Sequence, residues 1–294
     1  VETREFKNLR FIGTVPRSRK PYESVPPLFR NKSKYVDKID PLVDLAGEAY
    51  YFVRPNATNV EGVLKSWDDK KEETWDLELM DKSFIFLKQN YGSLFNDAVA
   101  TDEEIYEQLT MDNSPGFDGT CCGFFSKKEL LENPEFRSWF AQNNYSPAVE
   151  HAPLWSVVPK VEVRPKEDIL NGKIRLFQVP PLSLLLNQLR YSKRVSGRLK
   201  NYKWSAYGFN PYGGGFDRLA RRLLEKKWRF CYDISGWDKF LCILKRLYYC
   251  KEELMGLTGD LRWAWTFYNT VFPFLKFWDG SVYQKRYGNP SGSG

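Results

Sequence analysis

The spacing of apolar and polar positions divides the chain into a helical front, a β-like middle and a mixed last third. Residues 59–109 repeat apolar positions at a helical period, and Asp68, Asp69, Glu72 and Glu73 read as a solvated face. Residues 1–35 are basic and carry Pro16, Pro21, Pro26 and Pro27, so they are expected to run extended, as a strap across another part of the fold. NSPGFDG at 113–119 is dense in turn-forming residues. From 154 to 179 the pattern shortens to two β-like runs, WSVVPKVEV and KIRLFQV, with Asn171-Gly172 between them as a turn signal. Pro180 and Pro181 then open a helix with Leu182, Leu185, Leu186 and Leu189 on one face. Its continuation is basic, with Arg190, Lys193, Arg194, Arg198, Lys200 and Lys203 and no acid. A helix over about 216–227 precedes WRFCYDISGWDKF, which reads as strand, tight turn and new helix. A further helical stretch covers about 239–255, and a glycine-rich loop, YGNPSGSG, follows at the end.

Composition narrows the class. A chain of 294 residues can bury one large core or two smaller ones. With 42% hydrophobic and 16% aromatic residues it is a folded chain and not a disordered tail. Lys and Arg number 44 against 37 acids, a net +7 that suits a polyanionic partner as well as it suits plain solubility. The cysteines (Cys121, Cys122, Cys231, Cys242, Cys250) are odd in number, lack zinc-ligand spacing and share the chain with one histidine, His151. That usage predicts a reducing setting. No apolar run approaches the roughly 20 residues that span a bilayer, and residues 1–10 carry no signal-peptide core, so a soluble, cytosolic chain is expected.

Four segments could carry chemistry. In Asp233-Ile-Ser-Gly-Trp-Asp238, an apolar run would place Asp233 at a strand end, and Gly236 would turn the chain so that Asp238 returns near the same cleft. Spacing alone favours the plainer reading, a strand end and a helix cap, because two Asp five apart are common. Lys160, Glu162 and Arg164 alternate with valines, so their charges are expected on one strand face, joined by Arg175; such cations could hold a triphosphate or simply solvate an edge hairpin. Gly288-Asn-Pro-Ser-Gly292 and Ser114-Pro-Gly116-Phe117 are, by themselves, turns.

Taken in order, these four segments resemble motifs G, F, A and B of RNA-dependent RNA polymerases from positive-strand RNA viruses, in the picornavirus-like supergroup. The SGWD turn and GNPSG loop are similar to astrovirus-like members. The resemblance implies an α+β right-hand polymerase fold. Fingers would occupy 1–205, with the N-terminal strap and fingertip hairpin. A partial palm would occupy 206–294, with motif A, the start of motif B and finger elements interleaving at 255–290. It implies that Asp233 ligates the catalytic Mg²⁺ (or Mn²⁺), two ions in the complete enzyme, and that Asp238 selects the ribose. Lys160, Arg164, Arg175, Asp238 and Ser291 would bind NTP. Ser114, Gly116 and Gly292 would meet RNA, as would Arg190, Lys193 and Arg194 of the basic run. Lys166 could add a cation, though Glu167 and Asp168 adjoin it, and Gly208-Phe-Asn-Pro211 resembles the turn before motif A. The implied partners are template and product RNA, NTPs, other viral replication proteins, and the C-terminal palm and thumb of the same polyprotein. The implied setting is a membrane-associated replication complex in the host cytoplasm. The sequence contains no Gly-Asp-Asp and stops just inside motif B, so the chain is expected to be a fragment, inactive alone. Two rivals make different claims: a non-catalytic RNA-binding module using 190–203, and a structural protein in which every motif is a turn or a cap.

Overall fold

The computed structural model describes residues 9–15, 50–54, 57–68, 76–143, 152–202, 209–231 and 244–286. Its strands are β1 (Leu9–Thr14), β2 (Tyr50–Phe52), β3 (Leu154–Pro159), β4 (Val163–Pro165), β5 (Leu176–Val179), β6 (Phe274–Lys276) and β7 (Ser281–Lys285). The helices before β3 are α1 (Ala57–Asp68), α2 (Leu77–Tyr91), α3 (Asp102–Gln108), α4 (Phe117–Cys121), α5 (Lys127–Glu132) and α6 (Pro134–Asn143). Those after it are α7 (Lys166–Leu170), α8 (Leu182–Leu199), α9 (Gly215–Leu224), α10 (Leu244–Met255) and α11 (Leu261–Val271).

Five strands form a mixed sheet in the order β1-β7-β6-β3-β5. Only the β3–β6 pair is parallel; β3 runs antiparallel to β5 from Ser156↔Val179 to Pro159↔Leu176. At the far edge Leu9 lies opposite Lys285, so the two ends of the described chain meet in one sheet. In β3, Trp155, Val157 and Pro159 are buried while Val158 faces solvent, the alternation of a strand covered on one face. That face packs on Val60, Val63, Leu64 and Trp67 of α1 and on Leu275, Phe277 and Trp278. Trp155 is fully buried and its indole Nε1 donates to the Asn269 carbonyl (3.1 Å), joining the sheet to α11.

Helix α8 runs through the middle of the described structure. Leu184 belongs to the sheet core, whereas Leu182 and Leu186 pack with Ile105, Leu130, Leu131 and Phe140 in a second cluster. Polar positions of α8 are also buried, including Ser183, Asn187, Gln188, Arg190 and Ser192, so its inward-facing surface is wider than the leucine stripe. Gln188 Nε2 donates to Thr270 Oγ1 (3.0 Å), and the Tyr191 hydroxyl donates to Asp260 Oδ2 (2.9 Å) at the N-cap of α11. These bonds satisfy groups that would be costly to bury unpaired.

Candidate functional site

Between β3 and β5 the chain leaves the sheet for an excursion over residues 160–175. The Lys160 amide donates to the Arg175 carbonyl (2.9 Å) and closes its base. Beyond that closure, β4 pairs antiparallel with β2, Tyr51 opposite Arg164, and the Val53 amide donates to the Glu162 carbonyl (2.9 Å). The expected single strand carrying Lys160, Glu162 and Arg164 is therefore not formed: β3 ends at Pro159, and Val161 and Val163 are both exposed. The charged side chains are the more covered ones and the valines face solvent, so alternation here does not mark a strand with an apolar face buried. The excursion returns through α7, which Asn171 and Gly172 end. Gly172 has φ +69°, and a Cβ there would lie 2.6 Å from Cα of Gly62 in α1. Only glycine fits both the backbone angle and that approach.

The cations of this excursion converge on one carboxylate. Arg164 Nε donates to Glu162 Oε1 (2.8 Å), Arg175 Nη1 donates to Oε2 (3.4 Å), and Lys160 Nζ stands 3.7 Å from Oε2. Burial by itself would raise the Glu162 carboxyl, but Arg164, Arg175 and Lys160 outweigh it and hold the group below its ordinary value. Lys160 also lies over the Phe177 ring, and Lys166 over the Tyr51 ring (5.5 Å). Three cations held by one acid leave an excess of positive charge on an accessible surface. Two of the three are guanidiniums able to grip phosphate oxygens in pairs.

The Ser114-Pro-Gly116 turn sits against the start of α8. The Leu182 amide donates to the Pro115 carbonyl (3.0 Å), and the Gly116 amide donates to Ser114 Oγ (3.3 Å). Gly116 has φ +89°, and a Cβ would lie 2.7 Å from Pro181 Cα and 2.8 Å from the Pro180 carbonyl oxygen. Ser114 is exposed while Gly116 is buried, so the turn presents the serine and uses the glycine for packing.

The basic run of α8 is largely engaged within the protein. Arg190 is 8% exposed; its guanidinium bonds to Asp102 and to the Ala100 carbonyl. One turn on, Arg194 Nε donates to both oxygens of Glu104 (3.1 and 3.0 Å), and its Nη1 donates to the Asp97 carbonyl (2.7 Å). Another turn on, Arg198 donates to the Leu94 carbonyl (2.6 Å). Arg190, Arg194 and Arg198 thus form a ladder that fastens residues 94–104 to α8. Most donors of Arg190 and Arg194, both expected to meet RNA, are engaged by internal acceptors, while Arg190 Nε finds no partner. Lys193 is half-buried beside them.

Asp233, Asp238, Ser291 and Gly292 lie outside the described residues, as do Gly208, Lys203 and His151. Among the described residues no group of three or more His, Cys, Asp or Glu is arranged to hold a metal ion. A family model described as viral RNA-dependent RNA polymerase matches residues 78–294. The chain belongs to that family. Within it, the chain is 29% identical over 234 residues to the genome polyprotein of Peanut mottle virus (strain M), covering 72% of this chain and 7% of that protein. It is 24% identical over 201 residues to the genome polyprotein of Triticum mosaic virus, covering 64% of this chain and 6% of that protein. For the polyprotein of Brome streak virus (strain German) the identity is 26% over 222 residues, covering 69% of this chain and 21% of that protein. The chain is thus a small part of the length of the relatives it matches. The fold is similar to that of a sicinivirus 3Dpol RNA dependent RNA polymerase, with TM-score 0.62, 14% identity, and coverage of 79% of this chain and 52% of that one. The mixed sheet and its helices accordingly belong to the α+β right-hand polymerase fold of this viral family. No described helix is long and apolar enough to cross a membrane.

The glycines that seat the excursion, Gly62 and Gly172, and the acids that hold the arginine ladder, Asp102 and Glu104, were not evident as site-forming residues from sequence. The available signal was the isolated Gly62 within an otherwise helical pattern, which points to a close backbone approach.

Proposed function

We propose that this chain is the fingers and first part of the palm of a viral RNA-directed RNA polymerase, a nucleotidyltransferase of the picornavirus-like supergroup acting in genome replication and transcription. The observation that carries the reading is the convergence of Lys160, Arg164 and Arg175 on Glu162 within a chain whose family match covers 78–294. In this reading the 3′-hydroxyl of the growing RNA attacks the α-phosphate of an NTP, the α–β phosphoanhydride bond breaks, and pyrophosphate leaves. Lys160, Arg164 and Arg175 neutralise the triphosphate and orient it. Asp238 accepts from the ribose 2′-hydroxyl, and Ser291 lines the nucleotide pocket. Ser114, Lys193 and Gly292 meet RNA, with Gly116 shaping the turn that presents Ser114. Asp233 is assigned to hold Mg²⁺ or Mn²⁺, two ions in the complete enzyme, which when bound offset charge on the reacting phosphate.

The sequence has no Gly-Asp-Asp, and one aspartate does not hold an ion pair. The remaining palm carboxylates and the thumb are assigned to further coding sequence of the same polyprotein, and the partners to RNA, NTPs and other viral replication proteins. The setting is a replication complex on membranes of the host cytoplasm. The SGWD turn and GNPSG loop carry the likeness to astrovirus-like members. The test is template-directed NTP incorporation by this chain and by a version extended through its downstream coding sequence. Incorporation by the extended form alone, abolished by Asp233→Ala, is expected. An extended form inert on every template and primer would overturn the reading and leave RNA binding as the function.

A further inference from the structure

A cavity of about 640 Å³ is lined by α4, α5, α6 and the start of α8. Its walls are Phe124, Phe136 and Trp139, with Leu130, Leu154 and Leu182 beneath them. Phe136 lies 5.9 Å from Trp139 and is stacked on Phe140, so the aromatic wall is held in place from behind. The charged residues in the lining are Asp118 and Glu135, both acids, in a chain whose net charge is +7. An acidic wall repels phosphate, which sets this cavity apart from the Glu162 cluster and from any role in gripping an RNA backbone.

Asp118 is the polar focus. It opens onto the cavity from the first turn of α4. Among the described residues, no hydrogen-bond or ion-pair partner is found for its carboxylate. Asp118 is exposed at the cavity mouth, and crowding by the surrounding wall is the cause that pushes the group up to about 6. Water reaches this carboxylate, so a neutral donor brought to it adds little, and the gain comes from a cation.

We propose that this cavity binds a small planar aromatic molecule bearing an amidine or amine, with its ring against Phe136 and Trp139 and its donor on Asp118. The volume is that of a small-molecule site, and the mix of aromatic wall and a single convergent anion matches such a ligand. The inference stands apart from the polymerase reading, because it needs neither RNA nor catalysis.

The probes are benzamidine and its neutral analogue benzamide, titrated against the whole chain by ligand-observed NMR in the absence of RNA. Benzamidine is expected to bind more tightly than benzamide, and Asp118→Asn is expected to remove that preference. Lowering the pH from 7 to 5 protonates Asp118 and is expected to weaken benzamidine about tenfold while sparing benzamide. Glu135 and Cys122 also face the cavity, so the same pH series on Asp118→Asn separates their contribution. Equal binding of both probes to wild type, or a benzamidine preference that survives Asp118→Asn, would overturn the proposal.

Discussion

Arg164 Nε donates to Glu162 Oε1 at 2.8 Å, and the other oxygen of that carboxylate serves Arg175 and Lys160. In the role proposed for this cluster, Glu162 would compete with a triphosphate oxygen for the three cations. Glu162→Gln keeps the shape and removes the competing charge. After solvent screening, the change favours an anion by about 1 kcal/mol, roughly a fivefold fall in Kd. Calorimetry with inorganic tripolyphosphate measures it at low salt, and the gain should shrink as salt rises. Unchanged or weaker binding by Glu162→Gln would mean that Glu162 orders the cations more than it competes for them.

The same cluster gives stability a pH dependence of known sign. The folded Glu162 carboxyl lies below its ordinary value of 4.5, since Arg164, Arg175 and Lys160 outweigh the opposing effect of burial. Its contribution is fully present above 4.5 and is lost as pH falls through the folded value. Thermal unfolding of wild type and Glu162→Gln should therefore show a Tm gap that is widest above pH 4.5 and narrows in acid. A constant gap would place the stabilising interaction elsewhere.

Gly116 and Gly123 make a controlled pair. Both have positive φ, +89° and +88°, but a Cβ at Gly123 meets nothing within 4 Å, whereas at Gly116 it meets the Pro180–Pro181 backbone. Gly123→Ala is expected to cost about 1 kcal/mol from backbone strain. Gly116→Ala adds overpacking against a rigid proline pair and should cost about 2–4 kcal/mol. Urea unfolding of the two variants separates strain from clash.

Local sequence carried the start of α8, the β3–β5 pairing and the turn at 113–116, because proline placement, alternation and turn residues act over a few positions. It also brought Lys160, Arg164 and Arg175 together as a candidate site. Two features lay beyond it. The pairing of Leu9 with Lys285 depends on contacts that no local pattern encodes. The internal acceptors of the α8 arginines, from Leu94 to Glu104, lie about a hundred residues earlier in the chain, so the basic run by itself does not reveal them. A run of cations without nearby acids says that charge must be answered, and does not say by what.

That ladder can be told apart from an RNA contact. Arg190→Leu removes a buried guanidinium from Asp102 and the Ala100 carbonyl. Since Asp102 keeps access to water, the loss should be about 2 kcal/mol, below the range for stranding a fully buried charge. A cation on an RNA phosphate would instead change the slope of log K against log salt by about 0.7. Filter binding across a salt series should give wild-type slope for Arg190→Leu at temperatures where it is folded. A reduced slope would return Arg190 to the RNA surface.

The seat of the cation cluster is the contact between Gly62 and Gly172. Gly62 sits inside α1, where alanine in an unhindered helix would gain about 1 kcal/mol. Its Cβ would lie 2.8 Å from Gly172 Cα, backbone against backbone, so the excursion must shift to admit it, at about 1–3 kcal/mol. The net expectation for Gly62→Ala is a loss of about 1 kcal/mol. Faster amide hydrogen exchange should be confined to residues 163–172, with weaker tripolyphosphate binding, because Glu162 and its cations ride on the displaced segment. Gly172→Ala adds strain at φ +69° and crowds the same approach, its Cβ 2.6 Å from Gly62 Cα; one displacement of the excursion serves both, so the double variant should be less harmful than the sum of the two. If Gly62→Ala instead stabilises the chain and leaves exchange at 163–172 unchanged, the excursion is not seated by this contact and the cluster must be positioned by β2 and β4 alone.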